Sequence, residues 1–575
     1  MAAGAGLGAL ALYGRTLAPD VLVGDSGEFQ FTGPILGIPH PTGYPFYTLL
    51  GKLWSLLPLG TVAYRINLSS ACYLAAAVGL LAWLIWALGR PLPPCGMWNA
   101  ECGMRNGVEG RGSRWGKVLR AARPHPPTPS PKGGGGDDDG PPPLALSSTK
   151  GGGDAGPPPL ALSSGRGELV LRVVAAWGGA GLFAVAGTVW AQAVVARSYA
   201  LNALLVAGCL AALWGWWATG RRAAGWAFAG LLGLSLAHHG TTSVLLPGYA
   251  WLAGAALWRR RGRDRGRARM RLWLGLIAAF GLGLSPYLLP AYRFVFGYTY
   301  YWGNPQTWAD VVYLARGGPF TEQFFAYPLT LTGQWDRVAF GVEQISRQFG
   351  PGGVVVGLLG LLHLVADRRT RPFGVGLALL VAGNFAFAIN YGVVGHIYLI
   401  PTYLCWAVAL GAAGLGAAAG VGRLHRPWPR GLARVALGLA GALVVLGVVP
   451  GLAWSRWPAQ DRSGDTRIRD LALITLAAAA PGARIYVDWE SLCVFRYYRF
   501  VEGRRPDLLL YSEDPRDWAP GIAQDLAVGR ESYVGGWAGP DPPAAVRAAY
   551  RLARVGLVYR VVGSVGKPGD GGRGD

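Results

Sequence analysis

Apolar runs long enough to cross a bilayer recur along most of this chain, divided by short polar connections. A stretch of roughly 17 to 25 apolar residues spans the hydrocarbon core as helix. Such runs lie at about 168–188, 199–218, 223–237, 241–258, 272–290, 352–366, 373–390, 398–417 and 435–454, and Ala63–Leu88 is another. Met1–Leu17 is short for a span, with Arg15 near its end. It has no basic leading region and no clear Ala-x-Ala cleavage site, so it predicts a first membrane helix rather than a signal peptide. The pattern therefore predicts a mainly α, polytopic helical membrane protein with about 11 transmembrane helices.

Three stretches break the pattern. The first connection, 18–61, carries glycine, proline and charge, and predicts an irregular loop in which Tyr44–Leu57 lies as a short interfacial helix. Residues 91–167 are of another kind: Pro124–Lys150 is rich in proline, glycine and aspartate, and Gly140–Ser148 recurs at Gly156–Ser164. Such a composition buries too little apolar surface to offset chain entropy, which predicts a disordered cytoplasmic insertion; a proline-rich docking segment is the alternative. Residues 291–350 form a long connection within the membrane part 168–454. From 455 to 575 the chain turns soluble in character. There Ile485–Asp488, Leu508–Tyr511 and Leu557–Val562 predict short buried strands, alternating with helices at 466–480, 490–501 and 543–553. That alternation predicts a small C-terminal α/β domain with a partly parallel sheet. It reads as a structural cap or as an acceptor-recognition domain.

Charge sets the orientation. The net charge of +22 raises nucleic acid as a partner, but the arginines sit in short connections between apolar runs, where they act as topology signals. Arg221–Arg222, the eight arginines from Arg259 to Arg271, Arg368–Arg371 and Arg423–Arg434 all fall in even-numbered connections. Of the odd-numbered ones, 18–61 holds Lys52, the next holds Arg197 and 391–397 holds neither lysine nor arginine. A cytoplasmic N-terminus satisfies every short connection, placing 18–61, 291–350 and the C-terminal domain outside a cell membrane. Charged residues make up only 15% of the chain and mean hydropathy is +0.29, both in keeping with a membrane protein. Five lysines against 48 arginines suggest a GC-rich bacterial genome.

The candidate chemistry gathers in the first connection, in Gly24–Phe29 (GDSGEF) and His40–Pro45 (HPTGYP). Charge is costly beside lipid and marks function there. The chymotrypsin-like look of GDSG is chance, since it continues into Glu28–Phe29 between membrane spans. Asp25 and Glu28 are candidate catalytic residues, a carboxylate against an apolar wall being suited to general-base work; the bland reading is a helix cap or an ion pair with Lys52 or Arg65. His40 could bind phosphate, orient a carboxylate, or serve a backbone carbonyl, and Tyr44 lies in the same motif. Arg65 and Asn67 open the second span, where an arginine either snorkels to the interface or holds a lipid-linked phosphate. His239, next to His238, falls at a turn. Trp302 and Asn304 belong to an aromatic run that predicts a rigid turn able to stack on a sugar, although aromatics belong at the interface in any case. No His/Cys/Asp set has metal-ligand spacing, and no nucleotide-binding fingerprint occurs.

These residues carry a resemblance. Thr16–Pro19, Gly24–Phe29, His40–Tyr47, Leu50–Lys52 and Ala63–Asn67 resemble the N-terminal signature of a polytopic membrane family, formerly of unknown function, that is related to protein O-mannosyltransferases in the GT-C glycosyltransferase superfamily. Trp190–Ala193, Tyr199–Asn202, His238–His239, Trp302–Pro305, Tyr398–Pro401, Asp488–Trp489 and Glu502–Asp507 extend it, so that it covers nearly everything but 91–167. In three places the chain departs from the family's pattern: Arg197 and Gly395–His396 stand where acidic residues are expected, and His238 where asparagine is usual. The resemblance implies an inverting enzyme that moves a sugar, mannose above all, from a polyprenyl-phosphate donor to an extracytoplasmic acceptor such as a protein Ser/Thr hydroxyl. Asp25 would be the base, with Glu28 orienting, His40 or Arg65 facing phosphate, and Tyr398 among the substrate-binding residues. The lipid-linked sugar and an acceptor protein or glycan are the implied partners; the sequence names no certain cofactor and leaves a divalent metal open. A transporter or flippase of a lipid-linked or anionic solute is the alternative, disfavoured because the charges sit in one connection and no repeat relates the halves. An inactive scaffold is the third reading.

Overall fold

The structure, a computed structural model, describes residues 1–90, 164–261, 266–393, 395–423, 427–512, 515–536 and 541–565. Residues 91–163, nearly all of the expected insertion, lie outside them.

The protein is a mainly helical, multi-pass membrane protein. Among the described residues eight helices are long and apolar enough to cross a membrane. Three further expected spans form shorter helices: Ala2–Arg15 (14 residues), Arg222–His238 (17) and Leu246–Arg259 (14). The longest helix, Leu331–Ala366, absorbs the last part of the expected 291–350 connection and bends at Gly350, whose φ of 77° and following Pro351 interrupt the backbone ladder. The rest of that connection also folds, with helices Leu288–Phe296 and Trp308–Ala315.

The spans share one polarity. At one end, Arg369 donates to the Leu88 carbonyl at 2.6 Å and Arg259 to that of Trp217 at 3.3 Å, so the arginine-bearing connections gather where helices Val62–Leu88 and Ser198–Thr219 finish. At the other, the Tyr287 hydroxyl donates to the Leu236 carbonyl at 3.0 Å, and Gln334 and Asn390 exchange amide hydrogen bonds of 2.7 and 3.0 Å.

The first connection departs from the expected loop. Gly24–Ile35 is a helix, so Asp25 and Glu28 stand three residues apart on its first turns and share a face. Its glycines read as breakers, but Gly24 serves as the entry, with φ +63°, and Gly27 as a contact point. A Cβ on Gly27 would lie 2.3 Å from the Leu22 carbonyl oxygen and 3.1 Å from Cys493 Cβ. Pro45–Ser55 forms the short helix expected at Tyr44–Leu57.

The C-terminal segment builds a five-stranded mixed sheet in the order β2-β1-β3-β5-β4. The parallel strands β1 (Arg484–Val487), β2 (Leu509–Tyr511) and β3 (Ser532–Gly535) pair through Ile485, which faces Leu510 on one side and Tyr533 on the other. Antiparallel β5 (Val558–Ser564) and β4 (Tyr550–Val555) complete it. Strands β3 and β4 and helix Trp518–Ala527 go beyond the expected elements, and the helix expected over 543–553 stops at Ala549. Ile485, Val487, Leu492, Val494, Phe495 and Tyr533 form one buried core with Val21, Phe31 and Ala63 of the N-terminal segment. Apolar burial therefore welds this sheet to the first connection.

Candidate active site

Glu28 organises the site. It is fully buried, and three groups surround its carboxylate: the His40 ring through Nδ1, the His40 backbone N–H at 3.2 and 3.3 Å, and the Tyr300 hydroxyl at 3.1 Å. A buried carboxylate is tolerated only when so satisfied. Burial acts to lower His40's proton affinity, but the Glu28 charge beside it outweighs this, and the imidazole's pKa is raised above its ordinary value. Arg496 lies 4.8 Å above the Tyr300 ring, so the C-terminal domain backs this network.

Asp25, on the same helix face, is more open, with 31% of its side chain exposed, and it pairs with the Arg197 guanidinium. Arg197 is set by its backbone. The preceding Ala196 N–H donates to Asn67 Oδ1 at 2.9 Å, and the Arg197 N–H donates to Ser70 Oγ at 3.1 Å, just before helix Ser198–Thr219. Glu490, beside Gly24, adds another carboxylate; its pKa is raised by burial first, then by the charges of Asp488 and Asp25.

A chain of rings leads away from the carboxylates. His40 meets Tyr44 at 5.1 Å between centroids, Tyr44 meets His239 at 5.6 Å, and His239 meets Tyr199 at 5.4 Å. Tyr199 then meets Tyr398 at 5.5 Å, and Tyr398 meets Tyr391 at 4.6 Å. Trp489 stands edge-on to His40 at 6.0 Å. Such a wall of rings with polar edges suits a sugar or a polar headgroup.

The structure thus brings Asp25, Glu28, His40, Tyr44, His239 and Tyr398 together and engages the other candidates elsewhere. Arg65 donates to the carbonyls of Leu59, Ser55 and Gly60 at 2.8, 2.6 and 2.9 Å, closing the turn before its own helix. Asn67 is buried, holding the Ala18 and Asp20 carbonyls at 3.0 and 3.1 Å and the Gln30 amide at 2.9 Å. Trp302 packs against Ile38, Leu289, Tyr301 and Leu314, and its N–H donates to the Ile38 carbonyl at 2.9 Å. Asn304, at φ 44°, accepts from the Tyr298 hydroxyl at 2.6 Å inside a tight turn. Arg197, Tyr199, Tyr300, Trp489 and Glu490 were not among the candidates. Arg197 had a signal, being a lone charge at the start of an apolar span; Trp489–Glu490 follow a strand of a domain with no sequence tie to the first connection. Among the described residues no group of three or more His, Cys, Asp or Glu side chains is placed to hold a metal ion.

Comparison with known proteins converges on this region. Residues 25–96 match the model of the protein O-mannosyl-transferase TMEM260 N-terminal domain. The chain is similar to the protein O-mannosyl-transferase TMEM260 of Mus musculus, 42% identical over 79 residues, which is 14% of this chain and 11% of that protein. It is similar to the tmem260 protein of Dictyostelium discoideum, 38% identical over 63 residues, covering 10% and 8%. The matches therefore span only about a tenth of these relatives' length, and neither source supports a bacterial origin. Among solved structures, ArnT from Cupriavidus metallidurans bound to undecaprenyl phosphate superposes over 96% of both chains with a TM-score of 0.53 at 13% identity. That likeness shows a fold shared with ArnT over nearly the whole chain.

Proposed function

We propose that this protein is a membrane glycosyltransferase that moves a sugar, mannose in the first instance, from a polyprenyl-phosphate donor to a hydroxyl on the extracytoplasmic side. One observation carries the reading. Asp25, the first residue of the stretch shared with the O-mannosyl-transferases, is the partly open carboxylate at the head of a ring-lined site, with a cation beside it. The arginine-rich connections gather at the opposite end of the spans, and the excess of arginine expected on the cytoplasmic side supports a site that faces outward.

In the proposed reaction Asp25 accepts the proton of the acceptor hydroxyl as its oxygen bonds to the anomeric carbon. The bond from that carbon to the phosphate oxygen breaks, and its electron pair leaves with the polyprenyl phosphate. Attack opposite the leaving group inverts the anomeric centre through an oxocarbenium-like state. Arg197 faces the growing phosphate charge, the role expected of His40 or Arg65. Glu28 holds His40 and the helix that carries Asp25, while Tyr44, His239, Tyr199 and Tyr398 line the donor sugar and headgroup. Trp489 and Glu490 give the C-terminal domain a place at the acceptor side.

The test is transfer of labelled sugar from polyprenyl-phosphate-mannose to envelope acceptors in detergent. Asp25→Asn should cost about 10²- to 10⁴-fold in rate with an unchanged Tm. Undiminished transfer in that variant removes Asp25 as the base. No transfer from any of several lipid-linked sugars turns the reading toward a transporter or an inactive scaffold.

A further inference from the structure

The carboxylate proposed as the base is not free in this structure. One oxygen of the Asp25 carboxylate is held by the Arg197 guanidinium, which competes with an incoming hydroxyl for it. Arg197, in turn, is underused. Its fork carries five N–H donors, and its Nε is buried with no partner. It stands at the N-terminus of the 22-residue helix Ser198–Thr219, the end that favours an anion.

A second buried donor completes the pocket. His239 is 4% exposed, and its Nδ1 accepts from the Thr241 backbone N–H at 3.3 Å. That bond assigns the ring proton to Nε2, which has no partner. The His239 ring lies 5.4 Å from that of Tyr199, two residues along from Arg197. An N–H of Arg197 and an N–H of His239 are therefore both unspent, the first carried two residues before Tyr199 and the second on the ring that meets Tyr199. Buried donors left unsatisfied are costly, and the ligand that satisfies both while competing for a guanidinium is a phosphate monoanion or dianion.

We propose that Arg197 changes partners during turnover: it holds Asp25 while the site is empty and passes to the phosphate of the lipid-linked donor, freeing Asp25 for the acceptor hydroxyl. Arg197 then touches the donor phosphate and releases the base in one exchange, so the donor binds before the acceptor can be activated. The proposal rests on the assignment of Asp25 made above.

Exchange of one cation between two anions has a thermodynamic signature. Removing the first anion must tighten binding of the second. The measurement is undecaprenyl phosphate affinity of the purified full chain in detergent, with Tm as the folding control. Asp25→Asn should bind the lipid about tenfold more tightly than wild type, and Arg197→Gln about tenfold more weakly. The double variant should match Arg197→Gln alone, because the aspartate acts only through the arginine. Asp25→Ser serves in place of Asp25→Asn if the latter lowers Tm. Inorganic phosphate should follow the same order of variants at weaker affinity, which locates the effect at the headgroup; lipid binding that follows the series while inorganic phosphate ignores it would overturn the exchange. So would an Asp25→Asn protein that binds the lipid no better than wild type. Loss of Asp25 as the base would show instead as undiminished sugar transfer, a separate readout.

Discussion

At the scale of the residue, the site is two carboxylates with opposite fates. Glu28 is enclosed and spent on His40 and Tyr300, whereas Asp25 is partly open and held by Arg197. The His40–Glu28 pair makes stability depend on pH with a defined sign. A folded pKa raised above the ordinary 6.5 means that the pair's contribution is fully present below that value and is lost as pH rises through the folded value. Thermal unfolding in detergent should therefore show Tm falling as pH rises above the ordinary imidazole value of about 6.5. His40→Gln should flatten that slope, and an unchanged slope in the variant would show that another group carries it. Asp25, Glu28, His40 and Tyr44 were legible from the sequence because charge and aromatic edges are conspicuous between apolar runs. Arg65 was misjudged on the same logic: its charge is conspicuous, but three backbone carbonyls consume it.

At the scale of the element, the long spans were legible because their length answers to the bilayer, a constraint local to each run. Gly24–Ile35 was not. Gly24, Gly27, Gly33 and Pro34 argue against a helix when read locally, and only packing explains them. A Cβ on Gly33 would lie 3.1 Å from Gly51 Cα, so the Gly24–Ile35 and Pro45–Ser55 helices meet backbone to backbone there. Strand β4 was hidden for a related reason: Ala544–Tyr550 and the residues after it carry a helical rhythm that pairing with β5 overrides. The tight approach at Gly27 predicts that Gly27→Val destabilises the protein by about 1–3 kcal/mol, since three added carbons must be fitted against the Leu22 carbonyl and Cys493. The check is a chemical or thermal melt; a Tm equal to wild type would mean that helix Trp489–Phe500 can retreat at no cost.

At the scale of the whole molecule, the membrane part and the C-terminal sheet share one buried core around Val21, Phe31, Ala63, Ile485 and Tyr533. Composition separates these regions clearly, and it says nothing of their being joined, because the contacts link positions hundreds of residues apart. The insertion is the opposite case. It lies between Arg90 and Ser164, and Gly89 approaches Arg172, where a Cβ would stand 3.2 Å from Cγ of that arginine. The two flanking segments thus come into contact next to the points where the insertion leaves and returns. Replacing 91–163 by a short Gly/Ser linker should leave both Tm and sugar transfer within about twofold of the full chain. A large loss would mean that the segment has a task its composition does not disclose.

The cover over Glu28 has a consequence for biosynthesis. The helix bearing the two carboxylates leaves the ribosome early, while Cys493 and Arg496, which back it, follow more than four hundred residues later. Until then the nascent chain sits in the membrane with its acidic helix uncovered and its catalytic geometry unfinished. Phe31 meets Tyr300 and Phe500 at 4.9 and 6.0 Å between ring centroids, so its second cover arrives with the C-terminal domain.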